Sequence, residues 1–88
     1  MQIFNIRPLG RRVTERGNVQ IARFNIRLTD DITLFDWLLQ EVPDGTVGAY
    51  PPLAGHGHVT AAISPRARAA IGKAVLREMN EAAHERAA

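Results

Sequence analysis

The stretch Ala22 to Leu28 (ARFNIRL) constrains this chain more than any other. Ala22, Phe24, Ile26 and Leu28 fall on one side of an extended backbone, and Arg23, Asn25 and Arg27 on the other. A two-residue period of this kind belongs to a half-buried strand, with one apolar face and here a basic outer face. Such a strand needs a core beneath it, and 88 residues leave room for one domain and not two. A domain of this size buries only roughly 60–65% of the surface its unfolded chain exposes. The sequence has no cysteine, so neither disulfides nor a thiolate metal cluster can reinforce the core. Good packing or oligomerisation must supply the rest, and oligomerisation is the expected supplement.

The other elements follow from local signals. Residues 2–9 (QIFNIRPL) are rich in β-branched and aromatic side chains and predict a strand ending near Pro8. A polar segment follows, with a turn at Arg16-Gly17-Asn18. Residues 30–42 read in two ways. Asp30 can cap a helix with Leu34, Leu38 and Val42 at helical spacing, and local signals lean slightly that way. Alternatively Asp30-Asp31 is a hairpin turn before a strand from Ile32 to Val42. That strand would place Phe35, Trp37 and Leu39 on one face, with Leu34 and Leu38 on the other and Asp36 between them. Periodicity does not decide between the two readings in so apolar a run.

Pro43-Asp44-Gly45 is a turn, Thr46 to Tyr50 a short strand stopped by Pro51-Pro52, LAGHGH a flexible loop, and Val59 to Ile63 a further strand. Ser64-Pro65 then opens a helix to about Ala83, Ser as N-cap and Pro at the first helical position. Ile71, Val75, Leu76, Met79, Ala82 and Ala83 gather on one side of it. Arg66, Lys73 and Arg77 lie within about 40° of one another on the opposite side.

Charge is segregated along the chain. Residues 1–28 carry six Arg and one Glu, residues 29–50 five acids and no base, and residues 51–77 four bases and no acid. A net charge of +2 is thus a small difference between large blocks, as suits an anionic partner or head-to-tail self-association. Arg66 and Arg68 occupy a first helical turn, where the macrodipole disfavours cations, so a role in meeting an anion would account for their placement. With Lys73 and Arg77 they could follow a phosphate backbone, and Arg23 and Arg27 could extend the track across the sheet. The bland alternative is a solvated charged face.

Other chemistry finds less support. His56 and His58 supply two imidazoles where a metal site needs more ligands, so no metal is expected; their protonation would make the loop basic. Ser64 is a helix cap rather than a nucleophile, and Asp30, Asp31 and Asp36 have no evident His or Lys partner. Gly45-x-x-Gly48 leads into a strand and is not a phosphate loop. The chain therefore reads as a non-enzyme without cofactor or small-molecule substrate. No apolar run reaches the ~20 residues of a membrane span, and MQIFNIRPL does not read as a signal peptide, so the expected location is cytoplasmic, away from the membrane.

Two stretches, ARFNIRLTDDITLFDWLLQEVPDGTVGAYPP and HVTAAISPRARAAIGKAVLREM, together with IFNIRPL near the start, resemble the SpoVG family (stage V sporulation protein G). The resemblance lies in the apolar spacing, the position of Asp36 and the Gly-x-x-Gly-Ala-aromatic-Pro run, over most of residues 2–80. It implies an α+β domain, a small antiparallel sheet of four to five strands packed against a C-terminal helix, with Ile32–Val42 as a strand. It also implies a cytoplasmic bacterial homodimer that binds DNA, and in some members RNA, and acts in sporulation, septation or virulence. The expected nucleic-acid contacts are Arg23, Arg27, Arg66, Arg68, Lys73 and Arg77, and the expected dimer interface is Leu34, Phe35, Trp37 and Leu39. One departure stands out: the loop after the aromatic-Pro run, usually basic in that family, reads PPLAGHGH here and moves any such role to other residues. The alternative is a protein–protein interaction module or structural oligomer without nucleic acid.

Overall fold

The computed structural model describes residues 1–87. Strands β1 (Gln2–Val13), β2 (Val19–Thr29), β3 (Ile32–Glu41) and β4 (Val47–Tyr50) form an antiparallel sheet in chain order. A small hairpin, β5 (Leu53–Ala54) and β6 (His58–Val59), precedes the helix α1 (Pro65–Ala87), which packs on the sheet closest to β4 and reaches β1. The α+β architecture, one antiparallel sheet with one C-terminal helix, is thus the one that the resemblance implies.

The core is the alternating face of β2 met by β3, β4 and the helix. Ala22, Phe24, Ile26, Trp37, Leu39 and Ala49 close against Ile71 and Val75, and Leu34, Val47, Leu76 and Met79 border them. The helix starts where the sequence places it: the Ser64 hydroxyl accepts from the Ala67 N–H at 3.1 Å, and the Ser64 carbonyl from the Arg68 N–H. Its 23 residues run past the predicted end at Ala83. No helix among the described residues is long and apolar enough to cross a membrane.

Turns follow their chemistry. Gly45, at φ 90°, donates its N–H to the Val42 carbonyl, and Gly17, at φ 83°, to that of Thr14. Thr46, first through its side chain and then through its backbone N–H (2.8 Å to Oδ1), holds the exposed Asp44 carboxyl below its ordinary range.

Four expectations need correction. Residues 32–41 are the strand that the resemblance implies, against the slight local lean towards helix, but they are not a plain alternating one. Phe24 pairs with Trp37 but Ile26 pairs with Leu34, so β3 carries one residue more than β2 across this interval. The extra residue is a bulge at Phe35-Asp36, with Asp36 at φ 62°. It resets the phase: Leu34, Trp37 and Leu39 meet the core, while Phe35, expected on the face of Trp37, is 63% exposed. Asn25, expected on the solvated basic face, is buried because its Oδ1 accepts the Asp36 N–H at 3.0 Å.

The first strand runs beyond Pro8 to Val13, because β1 is an edge strand whose outward positions need no ladder donor. It does so with irregularities between Phe4 and Arg7 and between Pro8 and Arg12, where Asn5, Gly10 and Arg11 adopt positive φ. Of residues 59–63 only Val59 is in a strand, and it and His58 pair with Leu53 and Ala54 of the segment expected as a loop. Ala61 and Ile63 instead pack against the core as an irregular connection into the helix.

Candidate functional site

The six candidate cations separate into three places. Arg66, Lys73 and Arg77 are exposed on α1, away from Ile71 and Val75. Seven and four residues apart, they form one stripe about 16 Å long at the helical rise. The first turn of the helix contains no acid, and no Asp or Glu occurs between Gly45 and Arg77. Among the described residues the ion pairs are Arg7–Asp36 (2.7 Å) and Arg11–Glu41 (3.4 Å), so none of these three cations is neutralised by a carboxylate. Toward the helix end the surface changes sign, with Glu81 and Glu85 beside Lys73, Arg77 and His84 along a shallow open hollow.

Arg27 stands apart. It is exposed near the end of β2, opposite Gln2, in a small hollow shared with Met1, Leu28 and Asp30. It does not continue the helix stripe.

Arg23 and Arg68 converge on the other side of the sheet. Leu38, Gln40, Gly48 and Tyr50 share that face by register, Leu38 pairing with Tyr50 and Gln40 with Gly48. Arg23 on β2 pairs with Leu38 and donates one Nη1–H to the Asp36 carbonyl at 3.1 Å. Arg68 comes from the helix and crosses β4 at Gly48, where a Cβ would stand 2.7 Å from its Cγ. Its guanidinium carbon then rests 4.6 Å from the centroid of the Tyr50 ring, a cation–π contact. The Nε of Arg68 is enclosed without a hydrogen-bond partner. Pro51, Pro52, Leu53, Val59 and Ala61 complete the wall of a cleft of about 680 Å³.

Proximity of Arg23 and Arg68 was not legible in the sequence, because it depends on a helix residue reaching past an edge strand. The signal that could have revealed it is Gly48, whose lack of a side chain lets Arg68 lie there. Tyr50, Gln20 and Gln40, which line the same cleft, were likewise not among the expected site residues.

The expected dimer interface is divided by the bulge. Trp37 and Leu39 are buried in this chain's own core and Leu34 packs against it, so these side chains are not a surface for a second copy. Phe35 is exposed instead, and Ile32 and Leu28 add exposed apolar surface on the same β2–β3 hairpin. Among the described residues no group of three or more His, Cys, Asp or Glu side chains is placed to hold a metal ion.

No family model, no curated protein and no solved structure matches the chain.

Proposed function

We propose that the chain is a nucleic-acid-binding regulator of the SpoVG type that contacts phosphates through the outer face of α1 and acts as a homodimer. The observation that carries this reading is the stripe Arg66, Lys73 and Arg77, three exposed cations on one helix face without a carboxylate partner among the described residues. Cations in the first turn oppose the helix dipole, a cost that an anionic partner offsets. Backbone phosphates suit such a stripe because they need charge at spacing rather than shaped pockets. Base contacts are not supported, since the core takes Phe24 and Trp37 and leaves no stacking platform beside the stripe. Location in a bacterial cytoplasm goes with the same reading.

Self-association has its own support in Phe35, Ile32 and Leu28. A dimer would also supply the second set of cations that makes a three-charge stripe useful.

Fluorescence anisotropy with labelled duplex and single-stranded DNA and RNA, titrated at several salt concentrations, tests this. Three phosphate contacts per protomer give a log–log salt slope of about −3 for duplex DNA, doubled when both protomers engage. Replacing Arg66, Lys73 and Arg77 together with Glu should abolish binding. Absence of binding at about 50 mM salt, with folded protein in excess, overturns the reading.

A further inference from the structure

We propose that the cleft between the second face of the sheet and the Pro51–Ala61 segment binds a phosphate monoester of about the size of a nucleoside mononucleotide. The site does not use the helix stripe, and it departs from the expectation that the chain takes no small molecule.

Two guanidinium groups line one concave site, and both are held in place. Arg68 is fixed at its stem by Gly48 and at its head by the Tyr50 ring. Arg23 is tethered by one hydrogen bond to the Asp36 carbonyl. The Nε of Arg68 is enclosed and out of reach of a ligand in the cleft, so the Nη groups, which are not so enclosed, are the ones that would meet an anion there. The acid on the cleft wall is Asp36, and its carboxylate is already engaged by Arg7 at 2.7 Å, so the site as a whole is cationic.

Two fixed guanidinium forks match a doubly charged, multi-oxygen acceptor better than a single carboxylate, and a phosphate monoester carries about −1.5 to −2 near neutrality. The cleft is too large for that group alone. Its volume of about 680 Å³ is within the range of small-molecule sites. Away from the arginines, Gln20 and Gln40 offer amide donors and acceptors, while Leu38, Leu53 and Val59 offer apolar surface. That mixture suits a flat, polar-edged body joined to the phosphate. The cover is pinned, because the Thr60 hydroxyl donates to the Pro52 carbonyl and so ties the two ends of the β5–β6 hairpin.

A free mononucleotide and the terminal phosphate of a nucleic-acid strand present the same chemistry, and the test separates them. Full-length protein is titrated with AMP, UMP, adenosine and short oligonucleotides with and without a terminal phosphate monoester, read by amide chemical shifts and thermal stabilisation. AMP or UMP should give saturable shifts at Tyr50, Leu38 and Gln40, and adenosine should not. Arg23→Gln and Arg68→Lys should each weaken binding about tenfold or more. Arg66→Glu/Lys73→Glu/Arg77→Glu should leave AMP binding intact, so that failure of nucleic-acid binding through the helix and failure of the cleft are read independently. Phosphorylated oligonucleotides binding more tightly than AMP, with their unphosphorylated forms inert at the cleft, assign the ligand to a strand end; the reverse order assigns it to the free nucleotide. Should Arg68→Lys unfold the chain, Arg23→Gln, whose side chain lies outside the core, carries the test. No saturable response to AMP or UMP up to about 10 mM, or equal responses in wild type and Arg23→Gln, overturns the proposal.

Discussion

Asn25 and Asp36 act as one unit across two strands. The bulge at Phe35-Asp36 lifts the Asp36 N–H out of the β2–β3 ladder, and Asn25 Oδ1 recaptures it at 3.0 Å. Across β2, the first irregularity of β1 lies between Phe4 and Arg7, next to the Phe4–Asn25 pair. Asn25 thus sits where irregularities on both flanking strands meet, which explains a buried amide in a run whose pattern predicts an exposed one. Removing the acceptor leaves a part-buried N–H unpaired, so Asn25→Ala should cost about 1–3 kcal/mol. Asp36→Asn should cost less than about 1 kcal/mol, since Asn tolerates positive φ and an exposed ion pair such as Arg7–Asp36 contributes little. Urea unfolding of the two variants checks the order; equal losses would mean that the carboxylate, not the recaptured N–H, holds the bulge. Asp36 also shows where the sequence stops being readable. The alternation of ITLFDWLL extrapolates correctly to Trp37 and Leu39 but fails at Phe35, because no local signal announces a left-handed Asp in a strand.

Elements differ in legibility for a related reason. Ser64-Pro65 is visible because the cap is local chemistry: one hydroxyl, one N–H three residues on, and a ring with no N–H to lose. The strand at Ile32–Glu41 is settled by tertiary pairing on both sides, which outweighs a helical spacing of Leu34, Leu38 and Val42. Helix and sheet also meet through a contact that only glycines permit. A Cβ on Gly72 would stand 2.9 Å from the Gly48 Cα and 3.1 Å from the Val47 carbonyl oxygen. Within an isolated helix Gly→Ala gains up to about 1 kcal/mol, whereas overpacking against backbone costs about 1–3 kcal/mol. The second effect wins here because neither backbone can rotate away. Gly72→Ala should therefore lower stability by about 1–2 kcal/mol net in chemical denaturation. A more stable variant would show that α1 rides further from β4 than the structure has it.

At the scale of the molecule, the marginal core expected of 88 residues is completed within one chain by Phe24, Ile26, Leu39 and Val75, all fully buried. Among the large apolar side chains left exposed, Leu28, Ile32 and Phe35 gather at the far end of the β2–β3 hairpin. The charge blocks take physical form here as well: Arg66, Lys73 and Arg77 lie on the outer face of the helix, while Asp36 and Glu41 of the acidic block are drawn into pairs with Arg7 and Arg11 from the first strand. Opposed blocks in the sequence are therefore partly satisfied inside the fold, and Arg66, Lys73 and Arg77 are among the cations left without an ion pair among the described residues. Any homodimer must use surface that the single chain does not already bury, which makes Phe35 and not Trp37 the residue to test. Phe35→Glu should convert a dimer to monomer in sedimentation velocity while leaving the thermal transition of the protomer within a few degrees, since a ring this exposed contributes little to its own core. Trp37→Ala removes a buried ring from the sheet–helix core and should cost about 3–5 kcal/mol, enough to unfold a marginal domain, so its loss of function would say nothing about an interface. If Phe35→Glu sediments with the wild type as a dimer, self-association uses another surface; if both sediment as monomers, the small core stands alone, and the exposed end of the β2–β3 hairpin is left for a different partner.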